Sequence, residues 1–192
     1  MGMRNDLVLH SLQERMKRRR PELLDRMIGG FSCTKAHDVE RFIKNNALNY
    51  ERKGLSRTYL YIADATGTPT IAAYFTLAIT ATSFEGISKS RKEKVLGFKP
   101  GRDTKDHFGG ILVGQLARAD KFTSLDIGGQ EMIEDAETLI EKGRYFLGGK
   151  IIYLDCKEPL IEFYKRNGYM PVVQTPYSDG YYKMFKTLPE MP

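Results

Sequence analysis

The chain is poor in the residues that would make it a secreted, metal-bound or membrane protein. Cys33 and Cys156 are its only cysteines in 192 residues. Two thiols fit neither a disulfide scaffold nor a zinc site, so no metal is expected. The longest stretch free of charge and proline, Thr70–Phe84, is too short to span a bilayer, and no membrane partner is expected. No apolar run follows the N-terminus, where the first twenty residues hold six Lys/Arg and end in Arg18-Arg19-Arg20. That excludes a secretory signal and gives a cytoplasmic expectation. What remains is ordinary globular material: 41% hydrophobic and 28% charged residues exclude disorder and collagen-like repeats, and the length suits about one domain.

The net charge of +6 is concentrated. Residues 1–20 carry six basic and two acidic side chains, and residues 89–105 carry seven basic and two acidic, so the rest of the chain sums to −3. Two basic islands on a mildly acidic body suit a polyanionic partner, because local potential steers association more than total charge. Solvated helix faces would show the same pattern.

Apolar spacing predicts one or two helices over residues 6–28, interrupted at Pro21 and closed by Gly29-Gly30. Thr34 is the expected cap of a helix running to Gly54, with Val39, Phe42, Ile43, Ala47 and Tyr50 on its apolar face. Thr58–Ala63 and Ile71–Thr80 read as strands around a turn, and a short helix is expected within the basic stretch 86–106. Ile111–Ala117 reads as a buried strand. Gly128-Gly129 then opens a helix, Ile151–Leu154 is a second buried strand, and a helix begins at Pro159 and stops at Gly168. Strands near Tyr169–Gln174 and Tyr181–Lys186 flank the turn Ser178-Asp179-Gly180. This order predicts an α/β (α+β) fold, a mixed sheet with helices on both faces.

Three pieces carry chemistry: Gly114-Gln115-Leu116-Ala117-Arg118, the loop Ser124-Leu125-Asp126-Ile127-Gly128-Gly129, and Ile151–Cys156 followed by Phe163-Tyr164-x-x-x-Gly168-Tyr169. A pyrophosphate needs converging N–H donors, the positive end of a helix dipole, and glycine where the backbone comes close. In this arrangement the chain resembles the GNAT N-acetyltransferase superfamily. Phe31-Ser-Cys33, Val39-Glu-Arg-Phe42, Ala47-Leu-Asn-Tyr50 through Tyr59, and Ala73-Tyr74-Phe75-Thr76-Leu77 resemble the branch holding acetyltransferase toxins of toxin–antitoxin pairs. The likeness covers about residues 31–188.

The resemblance implies a mostly antiparallel sheet of six or seven strands in an acetyltransferase domain over 31–192, behind a basic helical extension over 1–30. It implies acetyl-CoA as cosubstrate, with Leu116, Ala117 and Arg118 offering backbone groups. Ser124, Asp126, Ile127, Gly128, Gly129 and Gln130 would bind the pyrophosphate, and Tyr164 would serve the thioester sulfur. The loop departs from the family pattern Q/R-x-x-G-x-G/A: Ser124 stands for Gln/Arg and Ile127 for the first glycine, with Gly128 expected to supply the freedom that Ile127 lacks. A homodimer, an antitoxin and tRNA are the partners that the branch implies besides the amine acceptor.

The branch acts on the α-amine of aminoacyl-tRNA. Such an amine is about 14% neutral at pH 7 against about 0.04% for a lysine, a difference of about 3.5 kcal/mol, so little base is needed. His107, Asp106 and Asp155 are the only bases in view near the strands. Lys89, Arg91, Lys92 and Lys94 are expected to hold acceptor phosphates, and to matter more than residues 1–20. Three functions stay open: an acetyltransferase for aminoacyl-tRNA, one for a small-molecule or protein amine, and a non-catalytic nucleic-acid-binding module of the same shape.

Overall fold

Pairing at the N-terminus begins where sequence periodicity suggested only helix. In the computed structural model, which describes residues 7–190 except 19, 65–66, 100, 102–105, 174 and 178, Val8–Ser11 forms strand β1. It lies antiparallel to β2, Arg57–Ala63, with Leu9 opposite Tyr61. The first segment is therefore not wholly helical; helices α1 (Leu12–Lys17) and α2 (Pro21–Gly29) come only after this strand. Seven strands pair in the order β1-β2-β3-β4-β5-β7-β6. The remaining strands are β3 Thr70–Ser83, β4 His107–Arg118, β5 Ile151–Lys157, β6 Met170–Pro171 and β7 Tyr181–Thr187. β4 and β5 run parallel, while the pairs β1–β2, β2–β3, β5–β7 and β6–β7 are antiparallel.

The chain divides into two compact units. The first takes Met1–Ala78 and Gly114–Glu137. Besides β1, β2, α1 and α2 it holds α3 (His37–Asn45) and α4 (Ala47–Lys53). The single helix expected from Thr34 to Gly54 is thus two, and Thr34 does not cap it. The Thr34 N–H is instead held by the Asp120 carboxylate at 2.9 Å, and Ala36 is the N-cap. Gly54 closes α4 at φ 68°, a left-handed position where glycine carries no Cβ penalty. Tyr74 is fully buried, donates its hydroxyl to the Val39 carbonyl at 2.6 Å, and meets the Phe31 ring edge-on. Glu51 is buried as well, satisfied by the Arg57 guanidinium at 2.7 Å and the Thr58 N–H at 2.8 Å.

The second unit takes Ile79–Val113 and Thr138–Pro192. Its helices are α5 (Lys89–Leu96), the second half of α6 (Gly129–Leu147) and α7 (Ile161–Arg166), the last preceded by a 3-10 turn over Glu158–Leu160. Ser88 caps α5 through its hydroxyl, and Gly97 ends it at φ 73°. Phe84, Tyr153 and Phe185 form an aromatic core, with Phe185 4.9 Å from Phe84 and stacked on Tyr153 at 5.7 Å. A Cβ at Gly110 would meet the Tyr153 ring at 3.1 Å and the Ile151 carbonyl at 3.2 Å, so glycine lets β4 close on β5 where Ile111 pairs with Ile152. β4 is not the uniformly buried strand expected: of its twelve residues only Gly110, Val113 and Ala117 are buried. No helix among the described residues is long and apolar enough to cross a membrane.

Candidate functional site

In the first unit the loop before α6 is closed by its own side chains. The Thr123 carbonyl accepts the N–H groups of Asp126 and Ile127, both at 3.2 Å, and the Thr123 hydroxyl accepts that of Leu125. The Asp126 carboxylate takes the Thr123 N–H at 2.7 Å and its hydroxyl at 2.9 Å, and these bonds hold its pKa below the ordinary carboxylate value. Asp126 therefore builds the turn, its carboxylate engaged by Thr123. Ile127 is buried, so it contributes only backbone. Its carbonyl accepts the Arg118 guanidinium at 2.8 Å, which ties the end of β4 to the loop. Gly128 is not among the glycines of positive φ, so the freedom expected of it is not used.

The intrahelical ladder of α6 starts where the Met132 N–H meets the Gly128 carbonyl at 3.1 Å. The N–H groups of Gly129 and Gln130 precede that first bond, at the positive end of a nineteen-residue helix. They are among the donors this segment offers an anion, with the Arg118 charge beside them. The Gln130 side chain is bonded to Glu134 at 2.8 Å, and Ser124 is exposed.

On β4, the Gln115 N–H faces β3 and donates to the Thr76 hydroxyl at 3.0 Å, as the Ala119 N–H does to the Ala72 carbonyl at 2.8 Å. Strand alternation sends the Leu116 and Arg118 N–H groups to the opposite edge. Ala117 is buried between them. Gln115 Oε1 is buried without a partner among the described residues, an acceptor that sequence reasoning passed over.

In the second unit Tyr164 is buried on α7, its ring 5.0 Å from Phe163 and 5.8 Å from Tyr169. Gly168 at φ 85° turns the chain so that the Tyr169 N–H returns to the Tyr164 carbonyl at 3.0 Å. Burial first, and the nearby Cys156 second, push the phenol pKa well above its ordinary value. The hydroxyl stays protonated at neutral pH and is a donor. Burial also pushes the Cys156 thiol up to about 11, so it is no nucleophile. In the first unit, burial and Asp120 raise the Cys33 thiol.

The bases expected near the strands are engaged or exposed. Asp106 pairs with Lys92, exposed Asp155 accepts the Tyr177 hydroxyl, and His107 is exposed at the start of β4. The same ion pair corrects the second basic island. Arg91 donates from Nε to the Val172 carbonyl and from Nη2 to that of Pro171, both at 2.8 Å, leaving only Lys89 and Lys94 of the four exposed. Arg102 and Lys105 lie outside the described residues. Among the described residues, no group of three or more His, Cys, Asp or Glu could hold a metal ion.

No family model matches the chain, and no curated protein matches it in sequence. Solved structures do match. A bacterial toxin is 19% identical at TM-score 0.66, over 82% of this chain and 81% of that one. AtaT complexed with acetyl-methionyl-tRNAfMet is 17% identical at TM-score 0.65, over 95% of each chain. AtaTR bound with AcCoA is 17% identical at TM-score 0.64, over 95% of this chain and 93% of that one. With seven mostly antiparallel strands in this order and such overlap, the chain has the GNAT fold found in toxin acetyltransferases of toxin–antitoxin systems.

Proposed function

We propose that the protein is an N-acetyltransferase that uses acetyl-CoA and acts by direct attack on the α-amine of an aminoacyl-tRNA. The observation that carries the reading is the start of α6, where the N–H groups of Gly129 and Gln130 stand beside the Arg118 charge. That donor set suits a pyrophosphate. The Leu116 and Arg118 N–H groups would polarise the thioester carbonyl. Tyr164, held protonated, would donate to the departing thiolate sulfur. Neither cysteine is needed, which agrees with their raised pKa values.

Expectation of an α-amine acceptor is supported by the candidate bases themselves, since Asp106 and Asp155 already have partners and an α-amine needs little help. A second copy of the chain and an antitoxin are the further partners of this reading. One observation favours the other acetyltransferase reading, a small-molecule or protein amine: Arg91 and Lys92 are committed to the fold and not to phosphates.

Two variants test the chemistry. Tyr164→Phe should lower kcat by roughly 10²–10⁴-fold and leave acetyl-CoA affinity unchanged by calorimetry; turnover at the wild-type level removes the residue from the mechanism. Gly129→Val, which crowds the helix opening, should abolish acetyl-CoA binding while the melting curve stays cooperative. Retained binding would place the pyrophosphate elsewhere. Acetyl transfer to aminoacyl-tRNA against a panel of free amines separates the two acceptors.

A further inference from the structure

Three arginines meet at one cavity in the first unit. Arg15 on α1, Arg18 at its C-terminal cap and Arg20 just ahead of Pro21 line a space of about 370 Å³, together with Leu23, Leu24 and Met27 of α2. The volume lies within the range of small-ligand sites. Arg15 Nε is buried and has no acceptor among the described residues. Burial, and then the charge of Arg18, hold the Arg15 pKa below its ordinary value, with Asp64 opposing. The same two arginines act on His10, whose pKa is lowered by burial first, then by Arg15 and Arg18, against Glu14.

Three like charges around one recess repel each other, and an anion that joins them relieves the repulsion. Guanidinium forks match phosphate oxygens, and Arg15 Nε supplies one buried donor without competition from water. A bare anion would make no use of the apolar wall formed by Leu23, Leu24 and Met27. A nucleotide would, by laying its sugar or base against it.

We propose that this cavity is a subsite for one nucleotide of an RNA strand, its phosphodiester on Arg15, Arg18 and Arg20 and its sugar or base on the α2 wall. The identity of the strand rests on the aminoacyl-tRNA reading. The subsite is distinct from the Gly129 loop, since none of its lining residues belongs to that loop or to β4.

Binding of a labelled tRNA acceptor-stem hairpin, followed by anisotropy without acetyl-CoA, tests it across about 50 to 200 mM salt. Arg18→Gln/Arg20→Gln should raise Kd about tenfold and lower the salt slope by about 0.7–0.9 for each phosphate no longer neutralised. Acetyl-CoA affinity should not change. Arg15→Gln should act the same way, and because Arg15 is half-buried the double variant at the exposed Arg18 and Arg20 decides the matter if Arg15→Gln unfolds. A second readout is the His10 imidazole. Titration with inorganic phosphate should move its NMR-measured pKa upward in the wild type and leave it in place in the double variant.

Unchanged Kd and slope in the folded double variant overturn the subsite, as does equal competition by an acidic peptide of the same charge. Failure of acetyl transfer to aminoacyl-tRNA, with hairpin binding and its slope intact, overturns the acceptor reading alone.

Discussion

The two basic segments carry similar charge and spend it differently. In α5, Arg91 is tied to the Pro171 and Val172 carbonyls and Lys92 to Asp106, so half of the expected phosphate ligands hold the second unit together. In the first unit, Arg15, Arg18 and Arg20 surround a cavity, and one of their donors has no protein acceptor among the described residues. A charge count along the chain cannot tell these cases apart. Carbonyls left over at a strand end consume a guanidinium as effectively as a ligand would, and they lie about eighty residues away in sequence.

If Arg91 is a structural residue, Arg91→Ala should cost about 2–3 kcal/mol in chemical unfolding, since two charge-assisted bonds are removed and two carbonyls stripped. Arg91→Lys should recover less than half, because an ammonium cannot span both carbonyls as the planar fork does. A loss under about 0.5 kcal/mol would return Arg91 to the pool of free charges. Lys92→Met should cost about 1 kcal/mol, an intermediate value for a pair whose lysine side chain is 14% exposed and whose Asp106 is 43% exposed. The smallest effect is expected of Lys89→Gln/Lys94→Gln. Both side chains are exposed, and stability should move by less than about 0.5 kcal/mol. If their removal instead flattens the salt slope of hairpin binding, α5 does carry phosphates and the contrast between the segments fails.

Much of the fold was legible where local chemistry decides it. Gly54 and Gly168 stop helices at positive φ, Pro159 sits in the first turn of the helical segment, and the apolar run at Ile151 is the buried strand it resembled. The misreadings share a cause, which is a partner distant in sequence. β1 exists through its register with β2, and four residues with helical spacing after them give no local sign of it. Thr34 does not cap α3, and its N–H is held instead by Asp120, 86 residues away. At the candidate site, the glycines that open α6 and the tyrosine of α7 could be read from spacing. The Arg118 brace on Ile127 could not, because it depends on where β4 ends relative to the loop. Nor could the closed Thr123–Asp126 turn, which takes the Asp126 and Ile127 N–H groups out of the set expected of the phosphate loop and shifts its donors toward the opening of α6.

The two cysteines have a practical consequence in reagent chemistry. Both are buried, and both hold their protons more tightly than a free thiol, Cys156 up to about 11. Alkylating reagents attack the thiolate, so the folded chain should be nearly silent toward maleimides at neutral pH. A single cysteine introduced at an exposed position then becomes the one labelled site, and a fluorophore or spin label can be placed beside either basic segment without removing the native thiols.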